Sequence, residues 1–245
     1  MKKTMLWLAL ALSLVGVLVL WLRYFRQQRY RDTRSRSTKV PTHTPIMGRY
    51  KRYHPLAWGI QTIAEGVGDA FHRRYRADIA DAKLSPEALM DQVRADLNQF
   101  SPPELAHFEK TKGRPDRFAV GDTFDIKITG PWNGPVKVIA NRPSFFAFAT
   151  LKGHLEMGEI HFQAKPHPNQ RDLRFEIESW SRSKDGLVDL AYDKTGLAKQ
   201  AQASMWVHFC KQVVQAVGGQ LIGEVEVKTH TQEISEDSPP HALTN

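Results

Sequence analysis

One cysteine, Cys210, occurs in 245 residues, so no internal disulfide can form and the composition suits a reducing compartment. Cys210 lies in an apolar helical stripe and reads as a small core residue. The ten histidines are scattered, with no His-Glu-x-x-His step and no cysteine pair, so no metal site is expected. The closest core pair, His154 and His161, has no metal-ligand spacing. There is no Gly-x-Ser-x-Gly elbow for nucleophilic catalysis. Glu65-Gly66-Val67-Gly68 follows no strand and precedes no Gly-Lys-Ser/Thr, which excludes a phosphate loop. No catalytic residue and no cofactor are therefore assigned, and a binding function is favoured over an enzyme. Acidic residues are short only at the start of the chain. Residues 1–53 hold twelve Lys and Arg against one acid, a net +11, so within a total of +8 the remainder carries −3. That remainder has no basic excess to neutralise phosphates, and nucleic acid is not an expected partner.

What is present first is a charge-free run, Met5 to Leu22. As a helix it spans roughly 27 Å at about 1.5 Å per residue, close to a bilayer's hydrocarbon thickness. Trp7 and Trp21 stand near its ends, where indoles favour the interface. The run closes on Trp-Leu-Arg-Tyr-Phe-Arg with no small-x-small cleavage step, so residues 1–22 read as an uncleaved anchor rather than a signal peptide. Arginines and a lysine from Arg23 to Lys39, opposed only by Asp32, follow it. The positive-inside rule then leaves the N-terminus outside and the following domain in the cytoplasm, with the basic stretch against anionic lipid.

Residues 23–44 read as a basic juxtamembrane linker, and 45–119 as a helical N-terminal part. Leu56, Ile60, Ile63, Ala64, Val67 and Phe71 share a helical face, though Gly59, Gly66 and Gly68 weaken it. Ser85-Pro86-Glu87 is a helix start: a capping hydroxyl, proline in the first turn and an acid at the positive end of the dipole. Ser101-Pro102-Pro103-Glu104 repeats that signal. From residue 120 the period changes to two. Strands are expected around Phe124–Ile128, Val136–Ala140, Ser144–Leu151, Glu159–Ala164 and Leu173–Glu178, as an antiparallel meander with one buried face. A long helix over 187–217 carries a wide apolar face and ends at Gly218-Gly219, before a last strand near Leu221–Val227. The polar tail, 235–245, reads as disordered. The fold class expected is α+β: a curved antiparallel sheet over 120–234 packed on a long C-terminal helix, behind a transmembrane segment and short helices.

The run Ala149-Thr150-Leu151-Lys152-Gly153-His154-Leu155-Glu156-Met157-Gly158-Glu159, followed by Phe175-Glu176-Ile177-Glu178-Ser179-Trp180-Ser181-Arg182, resembles the domain-of-unknown-function family numbered nineteen-ninety, of bacteria and plants. The resemblance covers about Val120 to Val217. It implies a relation to helix-grip proteins that bind hydrophobic ligands, and it brings no activity with it.

The candidate ligand-binding residues are Gly153, His154, Glu156, Gly158, Trp180, Arg182, Phe146, Phe148, Trp206 and His208. His154 and Glu156 either contact a ligand's polar head or serve the hairpin, with the imidazole capping backbone groups. Arg182 either binds a carboxylate or phosphate at a cavity mouth or pairs with Asp185 or Asp189. His208 reads more readily as a core histidine than as a ligand contact. Phe146, Phe148, Phe162, Phe175, Trp206 and Phe209 are expected to line an apolar cavity between sheet and helix, suited to a lipid or isoprenoid-like molecule. The leading expectation is a membrane-anchored module binding a hydrophobic small molecule. The alternatives are an interaction scaffold at the membrane and an enzyme using His154, Glu156 and Arg182 on an apolar substrate.

Overall fold

A computed structural model describes residues 29–37, 58–128, 133–169, 172–185 and 197–233. Among them ten strands form one sheet. They are β1 (Arg31–Ser37), β2 (Val67–Ala80), β3 (Ala106–Lys112), β4 (Thr123–Ile128), β5 (Asn133–Arg142), β6 (Phe145–Thr150), β7 (Glu156–Pro166), β8 (Leu173–Ser183), β9 (Gln220–Leu221) and β10 (Glu226–Gln232). Two α-helices join them, α1 (Pro86–Ala95) and α2 (Leu197–Ala216), with 3-10 turns at Ile63–Glu65 and Leu97–Gln99. The strand order is β1-β10-β2-β8-β7-β6-β5-β4-β3, with β9 on β2. From β3 to β8 the sheet is the antiparallel meander expected from the period-two pattern.

The α+β class and the packing of a sheet on a long C-terminal helix are both present, but the N-terminal third differs from expectation. The face shared by Leu56 to Phe71 does not make a helix over its described part. After the 3-10 turn, β2 begins at Val67 and runs for 14 residues. Its inward positions are Phe71, Arg73, Tyr75, Ala77 and Ile79, all buried. Ser101-Pro102-Pro103-Glu104 starts no helix either. The amides of Leu105 and Ala106 bond the Pro102 carbonyl, and the chain turns straight into β3. Arg31–Ser37, inside the stretch read as linker, is an edge strand parallel to β10. The final strand is split into β9 and β10. Ser85 behaves as expected, its hydroxyl accepting from the Ala88 amide at the start of α1. The apolar run 5–22, residues 187–196 of the long helix and the tail lie outside the described residues.

The buried face of the sheet meets Leu89, Met90 and Val93 of α1 and Trp206, Phe209, Cys210 and Val213 of α2, with Val217 just past its end. Aromatic rings dominate this contact. Phe162 stacks on Phe146 at 4.6 Å and meets Phe148, Trp206 and Phe209 at 6.1, 5.6 and 5.5 Å between centroids. Phe175 stacks on Phe209 at 6.1 Å. Each such ring contributes roughly 1.5–3 kcal/mol by burial and more by edge contacts. Bulges at Val67/Phe71, Lys110/Lys112 and Val138/Ala140 bend the strands around that centre.

The opposite face carries charge. Glu178 accepts hydrogen bonds from His72 Nε2 at 2.7 Å and Arg74 Nη2 at 3.0 Å. Burial alone raises its carboxyl, but those two donors outweigh it and hold the group at about 2, against 4.5 for a free glutamate. A depressed folded value stabilises the protein above the unfolded value. That contribution, on the order of 2–3 kcal/mol, is lost as pH falls from about 4.5 through about 2. Glu178→Gln is expected to flatten this part of the stability curve. Urea unfolding at pH 6, 4 and 3 measures it, and equal slopes in both proteins would contradict the assignment.

Candidate functional site

The hairpin from β6 to β7 carries the Gly-His motif, and its geometry is structural. His154 Nδ1 lies 2.9 Å from the Glu156 amide nitrogen and 3.0 Å from the Glu156 carbonyl oxygen, so the imidazole caps the backbone of the hairpin. Burial pushes its pKa below the usual histidine value despite the nearby Glu156. A side chain on Gly134 would come within 2.9 Å of His154 Nε2, so that glycine makes room for the ring. Gln61 donates to the His154 carbonyl at 3.3 Å. The Thr150 hydroxyl accepts from the Gly158 amide at 3.0 Å and ties the start of β7 to the end of β6.

Glu156 points elsewhere, into a polar cluster at one end of the α2–sheet contact. Its carboxylate accepts from Ser181 Oγ at 3.2 Å and from Gln202 Nε2 at 2.7 Å. Gln202, on α2, accepts from Arg73 Nη1 at 2.8 Å, while Arg73 stays 3.8 Å from Glu156. Arg73 is 5% exposed, and its charge is balanced through this amide bridge. The cluster staples α2 to β2, β7 and β8. Sequence reasoning missed Arg73 and Gln202. They lie far from Glu156 in the chain, and an inward arginine breaks the alternation that marks a strand.

Arg182 reaches back to the start of β2. Its Nε and Nη2 both donate to the Gly68 carbonyl, at 3.0 and 2.8 Å, clamping the bulged start of β2. Trp180 lies on the opposite face of the sheet, stacked on His72 at 4.9 Å with rings 5° from parallel. His161 meets Trp180 at 4.7 Å. His208 is on α2 near Glu104, with its pKa lowered by burial. Phe146, Phe148 and Trp206 are within the packed ring cluster. The side-chain hydrogen bonds of His154 and Glu156 thus lead to different places. Among the described residues no group of three His, Cys, Asp or Glu is gathered as a metal site.

Among the described residues, open space lies beside α1. A cleft of about 880 Å³ lies between α1 with the 3-10 turn after it, β3, the loop 113–118 and the β5–β6 turn. Phe108, Phe118 and Phe124 form its apolar floor. Phe118 is half-buried and meets Phe124, Phe146 and Phe148 at 5.8, 5.1 and 5.9 Å, so one ring separates the cleft from the aromatic core. Both walls are pinned. Lys110 Nζ donates to the carbonyls of Arg114 and Arg117 and to Asp122 Oδ2 at 2.9 Å. Asp122 also accepts from the Ala119 amide at 2.9 Å. Arg94 donates to the carbonyls of Arg142 and Pro143 at 2.9 and 2.8 Å, and Asn141 Nδ2 to that of Phe118 at 2.9 Å. Removing the buried carboxylate in Asp122→Ala leaves the Lys110 ammonium without its counter-charge. It is expected to cost about 3 kcal/mol and to free the loop. Denaturant unfolding and limited proteolysis at Arg114 and Arg117 measure both effects, and an unchanged cleavage rate would contradict them.

A large sheet folded against a long C-terminal helix, with a pinned cleft beside it, defines the class of this chain. Residues 61–212 match the family described as a domain of unknown function, DUF1990, and the chain belongs to that family. No curated protein matches the chain. Among solved structures, a Thalictrum norcoclaurine synthase point mutant in complex with a transition-state analogue is 12% identical, over 61% of this chain and 98% of that one, at a TM-score of 0.43. The di-domain ARO/CYC protein of the steffimycin biosynthetic pathway is 9% identical, over 61% and 51%, at 0.45. A hypothetical protein of Helicobacter pylori is 7% identical, over 74% and 99%, at 0.44.

Proposed function

We propose that the protein is a membrane-anchored, cytoplasm-facing module that binds an amphiphilic small molecule, and that the cleft floored by Phe108, Phe118 and Phe124 is its site. The observation that carries this reading is the cleft itself. It has the volume of a small-molecule site and an apolar floor beneath a polar rim, and its walls are held by spent hydrogen bonds. Pinned walls reduce the ordering cost of binding. The rings expected to line a cavity between sheet and helix pack on one another instead, which moves the site outward to the cleft. The catalytic alternative is the weaker reading, because the side-chain hydrogen bonds of His154 and Glu156 diverge.

The anchor rests on the sequence of residues 5–22. Among the described residues no helix is long and apolar enough to cross a membrane, and that run lies outside them. Eight residues, 23–30, separate it from β1, so the tether reaches no more than roughly 30 Å. The edge formed by β1 and β10 then stays close to the bilayer, while β3 and the cleft beside it lie at the other end of the strand order.

The test is native mass spectrometry of the full chain released from mild detergent, with extraction and identification of bound small molecules. A stoichiometric amphiphile is expected. A clean unliganded mass after incubation with a lipid extract removes the binding reading and leaves the scaffold. Deleting residues 5–22 is expected to release the chain from carbonate-washed membranes, and retention in the pellet would overturn the anchor.

A further inference from the structure

We infer that the molecule held in the cleft carries an anionic head, a carboxylate or a phosphate, on its apolar body. This rests on the cleft being the binding site and names the class of ligand it selects. The charges around the cleft divide into those already committed and those left over. Arg94 is committed to two backbone carbonyls and to Asp91, at 2.6 Å. Lys110 is committed to two carbonyls and Asp122. Asp116 is paired with Arg114 at 2.6 Å, and Asp96 accepts from the Asn98 amide at 2.9 Å. Every acid of the cleft therefore already has a donor.

Two guanidiniums remain, Arg117 on the loop 113–118 and Arg142 at the end of β5. Among the described residues neither has a carboxylate within ion-pair distance. Arg142 lies only over the Phe145 ring, at 5.7 Å from its centroid. Their side chains are exposed, but the backbones that carry them are fixed. Lys110 holds the Arg117 carbonyl and Arg94 holds the Arg142 carbonyl, so two basic residues are spent in positioning two others. A planar guanidinium offers paired N–H donors that match the two oxygens of a carboxylate or phosphate. The apolar tail would then lie on Phe108, Phe118 and Phe124. An uncharged head would leave both cations to water, and a cationic head would meet them as like charges.

The test uses the full chain in nanodiscs of uncharged phosphatidylcholine, titrated in a calorimeter against empty nanodiscs as the blank. The probes are decanoate, decyl phosphate, 1-decanol and inorganic phosphate. Saturable binding of decanoate and decyl phosphate is expected, with 1-decanol and inorganic phosphate at least tenfold weaker. The Arg117→Glu/Arg142→Glu variant should lose at least tenfold for both anionic probes while keeping its thermal midpoint. Raising salt from 50 to 500 mM should weaken them severalfold, because exposed charges are screened. Equal binding of 1-decanol and decanoate, untouched by the charge reversal, would overturn the anionic head and leave the cleft standing. Inorganic phosphate binding as tightly as decyl phosphate would overturn the apolar body. No saturable binding of any ten-carbon probe would overturn the cleft reading itself.

Discussion

Gly158→Ala is expected to destabilise the protein by about 3 kcal/mol or more, enough to prevent folding in a marginal domain. Gly158 sits near the start of β7 at φ +153, opposite Ser181 of β8. A Cβ built there would overlap the Trp180 carbonyl oxygen and come within 2.9 Å of its carbon. Those are backbone atoms of a paired strand, so neither partner can step aside. Displacing β7 here would also pull Gly158 N–H from Thr150 and Glu156 from Ser181. The glycine of the Gly-His motif is thus explained by a close approach of two strands, without reference to a ligand. Chemical denaturation of the purified variant decides the matter, and a loss under 1 kcal/mol would show that the strands can separate cheaply.

Phe162→Ala is expected to cost about 3–5 kcal/mol, the range for removing a large ring from a core that cannot collapse around the gap. Phe162 is fully buried and touches rings from β6 and α2 at once. It therefore couples the sheet to the helix as well as filling volume. Phe162→Leu should recover more than half of the loss. A loss below about 1.5 kcal/mol for alanine would mean the centre is loosely packed, with room for a ligand among the rings. The interior cavity expected from the sequence would then return as the better site.

The legible parts of the chain were those where one face of an element is apolar and its neighbours in sequence are also its neighbours in space. The meander from β3 to β8 obeys this, because Phe124 and Ile126, or Phe175 and Ile177, alternate with polar residues across short turns. The helix start at Ser85-Pro86-Glu87 is equally local. Strand β2 fails the rule because Arg73 faces inward. The preceding Ile60, Ile63, Ala64 and Val67 happen to fit a helical spacing as well. Strand β1, Arg-Asp-Thr-Arg-Ser-Arg-Ser, has no apolar alternation at all and exists only through its pairing with β10, nearly 200 residues later. Its charges are what an exposed sheet edge needs to resist further pairing.

The site was less legible than the fold for a related reason. His154, Glu156 and Gly158 are close in sequence, and their glycines and imidazole invite a ligand reading, yet their partners are one another, Gln202, Ser181 and the backbone. The cleft has no motif. It arises where α1, a loop and a turn happen to enclose space, and its polar residues are distinguished only by which of them already have partners. Arg94 and Arg117 are indistinguishable in sequence. The fold separates them, since one is spent on carbonyls and the other is not.

The central claim is that a ligand occupies the cleft, and photo-crosslinking tests it most directly. The full chain would be irradiated with a fatty acid bearing a diazirine at the end of its chain, then digested and the labelled peptides mapped. The account expects the label on peptides carrying Phe108, Phe118 or Phe124, and its loss on competition with unlabelled fatty acid. Label confined to peptides of the ring cluster around Phe162 and Phe209, or none that competes, would contradict it.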